Sequence, residues 1–80
     1  MARRVNISIQ VTCQGKRPIA FFWEEQWHSI IQIIESWKES GEWWEKAPEI
    51  TVYQVLTATQ GLYELHHQAT GQWLLYKVYD

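Results

Sequence analysis

Three histidines and one cysteine are the side chains of this 80-residue chain best suited to bind a metal or to act as a nucleophile. They are His28, His66, His67 and Cys13. A zinc site needs three or four ligands in closing geometry, and adjacent residues of a strand point to opposite faces. At most one of His66 and His67 can therefore join His28. The sequence predicts no metal site, and it favours exposed or capping roles for the histidines.

Catalytic groups are equally sparse. A Cys–His pair would require a histidine beside Cys13 and a third group to orient it, and no local pattern supplies them; a lone cysteine is more often a small buried side chain. Among the acidic residues Glu64 stands out, because it lies between apolar neighbours and could face Lys77 across the last hairpin. The sequence contains no phosphate-binding glycine loop and no serine elbow. We therefore expect a protein that is not an enzyme and needs no cofactor.

Aromatic side chains are the strongest candidates for binding. The chain has six Trp, four Tyr and two Phe, and most should be core, because each ring can bury roughly 150–250 Å². We expect Trp37 to be one of these core rings. Trp43 and Trp44 are neighbours in an extended segment and should face opposite ways, so that one of them is exposed. Together with Lys38 and Lys46, these tryptophans form the predicted binding surface.

Charge and composition limit the function classes. The net charge of −2 and the pI of about 5.9 argue against a strongly basic nucleic-acid footprint, although not against a local basic patch. A single cysteine cannot form an internal disulfide. The first residues lack the apolar run of a signal peptide, and no apolar run is long enough to cross a bilayer. We expect a cytoplasmic protein with no membrane contact and a single domain over residues 1–80.

Alternating polarity predicts two strands in the first part of the chain. Residues 5–11 alternate between apolar and polar side chains, which is typical of a half-buried strand. Residues 19–23 are rich in side chains that favour strands. Trp27 and His28 should form the return side of a hairpin, although the intervening turn contains neither Gly nor Asn.

Three further strands should form a meander in the second half. They are expected at residues 50–56, 62–67 and 73–79. The two connections contain Gly61 and Gly71, as is common in short turns. In the last strand, alternation places Trp73 and Leu75 on the face opposite Val78.

The segment from Trp27 to Glu39 fits two structures. Its apolar residues recur at helical spacing, and Ser40 and Gly41 could end a helix. Its isoleucines and tryptophans instead favour a strand that is buried on both faces or contains a bulge. We predict an all-β fold, either a small antiparallel barrel or a strongly bent sheet of five to six strands. The alternative is an α+β fold with one helix near residues 27–40.

Several motifs resemble a small bacterial family of unknown function. They are Pro18, Phe22-Trp23, Trp37, Gly41-Glu42-Trp43-Trp44, Tyr53-Gln54-Val55, Tyr63-Glu64-Leu65, Gly71-Gln72-Trp73 and Val78-Tyr79-Asp80. That family occurs as short free-standing proteins and at the C-terminus of proteins related to the catalytically inactive Y-family polymerases of bacterial mutagenesis cassettes. The resemblance covers residues 17–80. It implies a non-catalytic accessory domain with a link to DNA repair or damage tolerance.

This chain departs from that family at two places. Relatives often carry Arg-Gly-Arg in the turn occupied here by Glu24-Glu25-Gln26. They also tend to have an aromatic and a basic residue where His66 and His67 stand. Both changes remove positive charge, which weakens a DNA-binding role inherited from the family.

The predicted function is that of a non-enzymatic interaction module. We expect a protein partner or a second copy of the chain to bind the aromatic surface around Trp37, Trp43 and Trp44, because the chain has an excess of rings and an acidic balance. The alternative is single-stranded nucleic-acid binding on a small barrel. That function requires a positive groove beside exposed rings.

Overall fold

A computed structural model of the protein describes residues 2–39 and 49–79, which form six antiparallel strands and no helix. The strands are β1 (Ala2–Gln14), β2 (Arg17–Trp23), β3 (Gln26–Glu39), β4 (Ile50–Thr57), β5 (Leu62–Gln68) and β6 (Trp73–Tyr79). They pair in chain order, and β6 returns to pair with β1, so the sheet closes into a barrel. The all-β prediction is confirmed, and so are the three strands of the meander. The α+β alternative is wrong, because the ambiguous segment is β3.

Two bulges explain why β3 resembled a helix in sequence. Its pairing register with β4 shifts by one residue at Ile31 and again at Ile34. Each shift inserts an extra residue and changes which positions face outward, so apolar residues recur every three or four positions along a strand. The side chains of Ile31 and Ile34 are 56% and 43% exposed. The strand is therefore bulged, as one version of the prediction had it, and is not buried on both faces.

Trp37 lies on the outside of the barrel, and its expected place in the core is wrong. Side chains that are directly paired on neighbouring strands project to the same face. Ser36 pairs with Tyr53, which packs against the core, whereas Trp37 pairs with Val52 on the other face. Trp37 is 38% exposed. The error arises because the size of a tryptophan favours burial, whereas the pairing of β3 with β4 decides which face Trp37 occupies.

The core inside the barrel combines rings with aliphatic side chains. Its buried members are Phe21, Val55, Tyr63, Leu65, Trp73, Leu75 and Val78. The Tyr63 ring lies edge-on to Phe21 at 5.1 Å and to Trp23 at 5.7 Å between centroids. Such edge-to-face contacts are favourable beyond the area that they bury. They join β2 to β5 across the barrel.

The long strands β1 and β3 each serve two parts of the barrel. Residues 2–9 of β1 pair with β6, and residues 10–14 pair with β2. In β3, residues 26–29 pair with β2 and residues 30–39 pair with β4. Within the described residues, β2 thus pairs with the last part of β1 and with the first part of β3. The second part of β3 and the β1–β2 turn border an opening at one end of the barrel.

The β2–β3 hairpin has an unfavourable turn. Trp23 pairs with Gln26, so Glu24 and Glu25 are its two central residues. Their φ angles are 52° and 62°, and positive φ at both positions is what a type I′ turn requires. Asn-Gly is favoured there, because a residue with a Cβ pays about 1–2 kcal/mol in the left-handed region. The predicted hairpin is confirmed despite its turn residues.

Replacing Glu25 with glycine should therefore stabilise the protein. Glycine relieves the left-handed strain of the folded turn, but it also makes the unfolded chain more flexible, which opposes part of the gain. We expect the free energy of unfolding to rise by about 1 kcal/mol. Urea denaturation followed by circular dichroism would measure it. Glu25→Ala is the control, since it removes the same charge and leaves the strain. An equal gain from both variants would show that charge repulsion, and not backbone strain, is the cost.

Gly61 is required by the position of a core ring. A Cβ at Gly61 would lie 2.6 Å from Cε2 of Tyr63, which is far inside normal contact. The backbone cannot withdraw easily, because the Thr57 N–H donates to the Gly61 carbonyl at 2.9 Å and the Gly61 N–H donates to the Thr57 hydroxyl at 3.2 Å.

Gly61→Ala should lower the free energy of unfolding by about 1–3 kcal/mol, the usual cost of overpacking a core. Thermal and urea denaturation would measure the loss. In a Tyr63→Leu background the same substitution should cost much less, since the clashing ring is gone. If Gly61→Ala lowers the free energy of unfolding by the same amount in that background, the loss comes from the turn backbone and not from the ring.

Candidate functional site

A cavity of ≈ 370 Å³ opens at the end of the barrel between the β1–β2 turn and strands β3 to β6. Part of its wall is a row of directly paired residues: Lys38 with Thr51, Thr51 with His67, and His67 with Trp73. Paired side chains share a face of the sheet. The strand register therefore brings these four side chains, which are far apart in sequence, around one space. We call it the barrel-mouth cavity.

Three rings form the apolar side of the barrel-mouth cavity. His67 lies flat on Trp73, with 4.1 Å between ring centroids and 5° between planes. Tyr53 packs against the same indole at 5.4 Å and 35°. Trp73 is buried, whereas Tyr53 and His67 are only half-buried and line the cavity. Part of the surface of these rings is therefore not buried in the core and faces the cavity.

The charged side chains at the cavity are basic. Lys16 lies in the β1–β2 turn and Lys38 lies on β3, and both line the opening. The Lys38 ammonium is 3.5 Å from the Glu49 carboxylate, but both side chains are mostly exposed, so water and salt weaken the pair. Among the described residues that line the cavity there is no Asp or Glu. Two lysines therefore lie at the opening, and one of them is beside the Glu49 carboxylate.

Cys13 also lines the barrel-mouth cavity, but it is not an activated nucleophile. Partial burial raises the pKa of its thiol, so the group stays protonated near neutral pH, whereas a catalytic cysteine needs the thiolate. The residue is exposed overall, which corrects the expectation of a buried small side chain.

The histidines have three different environments. His28 is 7% exposed, its ring stacks on Phe21 at 5.2 Å, and its Nε2–H donates to the Trp23 carbonyl at 3.2 Å. The expectation of an exposed or capping role is wrong for this residue, because its imidazole fills core space and finds a backbone partner. His66 and His67 face opposite sides of β5, as predicted. Within residues 2–39 and 49–79, no group of three His, Cys, Asp or Glu side chains is placed to hold a metal ion.

Glu64 belongs to a polar cluster on the outer face. It pairs with Lys77 across the β5–β6 ladder, as predicted. Its carboxylate also lies 2.9 Å from His66 Nε2 and accepts a hydrogen bond of 3.3 Å from the Tyr79 hydroxyl. The His66 ring in turn stacks on Tyr76 at 4.2 Å. These contacts give Glu64 a structural role.

A second exposed surface runs along the outside of β2 and β3. We call it the β2–β3 face, and it consists of Phe22, Trp27, Ile31, Ile34 and Trp37. Phe22 pairs with Trp27, and their rings meet edge to face at 5.5 Å. Trp27 is 52% exposed. The Trp37 indole N–H donates to the Glu39 carboxylate at 3.1 Å.

The predicted site residues separate into three groups. Trp37 lies on the β2–β3 face, whereas its neighbour Lys38 faces the barrel-mouth cavity, so the two do not form one surface. Trp43, Trp44 and Lys46 lie outside the residues that the structure describes. The other members of the β2–β3 face were missed as site residues, although helical spacing of apolar residues in a β-rich segment was a signal of bulges that expose them.

Comparison with known proteins adds a family but no activity. The chain matches, over residues 1–80, the family described as Domain of unknown function (DUF6504). The chain belongs to this family. Its predicted membership of a family of unknown function is thereby confirmed. Comparisons with curated proteins and with solved structures give no significant match. No helix within the described part of the chain is long and apolar enough to cross a membrane.

The Tyr79–Glu64 contact should make stability fall at high pH. Burial, the Glu64 charge and the hydrogen bond to Glu64 all raise the pKa of Tyr79. The folded protein then holds this proton more tightly than the unfolded chain, so stability is lost as the pH rises above about 10.

In Tyr79→Phe, the free energy of unfolding should fall less steeply over that pH range than in the wild type, as measured by urea denaturation at several pH values. Glu64→Gln should give an intermediate slope, because burial still acts on the phenol. Tyr76→Phe is the matched control and should keep the wild-type slope. A Tyr79→Phe slope equal to that of the wild type would contradict the assignment.

Proposed function

We propose that the protein is a non-enzymatic module that binds another protein through the β2–β3 face. The observation that carries this proposal is the alignment of five exposed aromatic or aliphatic side chains along two neighbouring strands. Single exposed apolar residues are ordinary, but several along one strand of a small domain and its neighbour are typical of an interaction surface. Trp27 is the strongest anchor, since tryptophan dominates the binding energy of many interfaces.

The charges around the β2–β3 face favour a protein partner over nucleic acid. Glu24 and Glu25 occupy the hairpin tip beside Phe22 and Trp27, and Glu35 and Glu39 are exposed on β3. Carboxylates repel a phosphate backbone, and they complement an apolar patch that is flanked by Lys or Arg. Single-stranded nucleic-acid binding, the alternative function, lacks a positive groove on this surface.

The family resemblance supports a biological setting for this proposal. Similar domains accompany inactive Y-family polymerases of mutagenesis cassettes, so we propose an accessory role in bacterial DNA repair or damage tolerance, in the cytoplasm. The protein partner that we propose includes the case of a second copy of this chain. Trp43, Trp44 and Lys46 stay in the proposal as sequence-based candidates for the same interaction.

Site-specific photo-crosslinking would test the proposal. With a photoreactive amino acid at position 31 of the full chain in its native cells, irradiation should give discrete protein adducts that mass spectrometry identifies. Trp27→Ser should reduce these adducts about tenfold or more, because loss of an anchor residue commonly costs at least 2 kcal/mol. Sedimentation over a wide concentration range would show whether the partner is a second copy.

The control position lies on another strand. Ile7 on β1 is 40% exposed, against 56% for Ile31, and lies outside the β2–β3 face, so a photoreactive group there should not give the same adducts. Ile7→Ser should not weaken them in protein that circular dichroism shows to be folded, a check that is needed because Ile7 pairs with the buried Leu75. Equal adducts from positions 7 and 31, or adducts that survive Trp27→Ser, would overturn the proposal. Oligonucleotide binding at low salt that weakens with Trp27→Ser would instead support the nucleic-acid alternative.

A further inference from the structure

We propose that the barrel-mouth cavity binds a small ring-bearing phosphate of the size of a nucleoside monophosphate. Its ring would pack against Tyr53 and His67, and its phosphate would lie between Lys16 and Lys38. The proposal is independent of the β2–β3 face, which lies on the outside of the barrel. It also differs from the nucleic-acid alternative, since it concerns a single small molecule in the open end of the barrel.

The size of the cavity selects a small molecule. Its volume of ≈ 370 Å³ lies within the range of about 300–1,000 Å³ that is usual for small-molecule pockets. Thr51, His67 and Trp73 occupy consecutive positions across the continuous β4–β5–β6 ladder. Each of these residues is paired with a neighbouring strand on both sides. This part of the cavity wall is therefore already formed before a ligand binds.

The charges at the opening select an anion. Lys16 and Lys38 approach from different elements, the β1–β2 turn and the end of β3. No acidic residue among those described lines the cavity, so an anion at the opening would be attracted by two ammonium groups. Thr51 adds a hydroxyl that can donate to a phosphate oxygen. The Glu49 carboxylate, 3.5 Å from the Lys38 ammonium, partly offsets its charge.

The rings select a ligand with a flat apolar part. His67 is supported from one side by Trp73, in nearly parallel contact, which fixes the imidazole plane without hiding the residue. Tyr53 is held by the same indole. Rings that are already oriented by a neighbour provide a stacking surface at little entropic cost. A simple inorganic anion would leave this surface unused.

Titration of the full chain with three probes would test the inference. The probes are adenosine 5′-monophosphate, adenosine, and ribose 5-phosphate, followed by two-dimensional NMR and calorimetry. The monophosphate should bind in a saturable manner and more tightly than either fragment, with shifts at Thr51, Tyr53 and His67. Ribose 5-phosphate binding as tightly as the monophosphate would overturn the role of the rings. Absence of saturable shifts with all three probes would overturn the site.

Variants separate the two halves of the site. Lys16→Gln and Lys38→Gln are changes at exposed positions that should preserve the fold. Each should weaken adenosine 5′-monophosphate about tenfold, a factor that corresponds to 1.4 kcal/mol, and leave adenosine unchanged. His67→Ala should weaken both ring-bearing probes.

The matched controls lie on the outer face. Lys77→Gln makes the same change of charge, and His66→Ala removes the neighbouring imidazole, which stacks on Tyr76 away from the cavity. Neither should alter binding of adenosine 5′-monophosphate. An equal loss from Lys77→Gln and Lys38→Gln would show only general charge attraction and would overturn the proposal. Trp27→Ser should leave this binding unchanged. The protein-binding proposal and the cavity proposal can therefore fail independently of each other.

Discussion

The two bulges of β3 are the constraint on which the rest of the structure depends. A regular strand of this length would keep a single alternation from end to end, whereas each extra residue at Ile31 and Ile34 shifts that alternation and bends the strand. The bend lets one strand pair with β2 at its start and with β4 at its end. The barrel closes in chain order because β1 makes a similar change of partner.

Two neighbouring residues of β3 belong to different surfaces, because successive side chains of a strand point to opposite faces. Trp37 faces outward and extends the β2–β3 face, while Lys38 faces the barrel-mouth cavity. A third bulge or a missing one in β3 would exchange them, since a one-residue slip moves every later side chain to the opposite face. The separation of the β2–β3 face from the barrel-mouth cavity thus follows from backbone register.

Aromatic and imidazole rings compensate for the short chain. A domain of this size buries only about 60% of its unfolded surface, so large side chains must supply most of the contact area. The core uses Phe21, Tyr63 and Trp73 in this way, and it recruits His28 as a further ring with a backbone hydrogen bond. Rings on the β2–β3 face lie outside this core, and they are the basis of the proposed protein-binding role.

Period-2 alternation and glycine turns by themselves determined the β4–β6 meander and the opposite directions of His66 and His67, because these features depend on near neighbours in sequence. They left the segment that forms β3 open between strand and helix. Tertiary structure alone decided the phase of bulged strands: Val78 lies in the core beside Leu75, against simple alternation, because the β6 register shifts between them. It also decided which distant residues share the barrel-mouth cavity, since strand register and barrel closure, and not sequence spacing, bring Lys16 and Lys38 around Thr51 and His67.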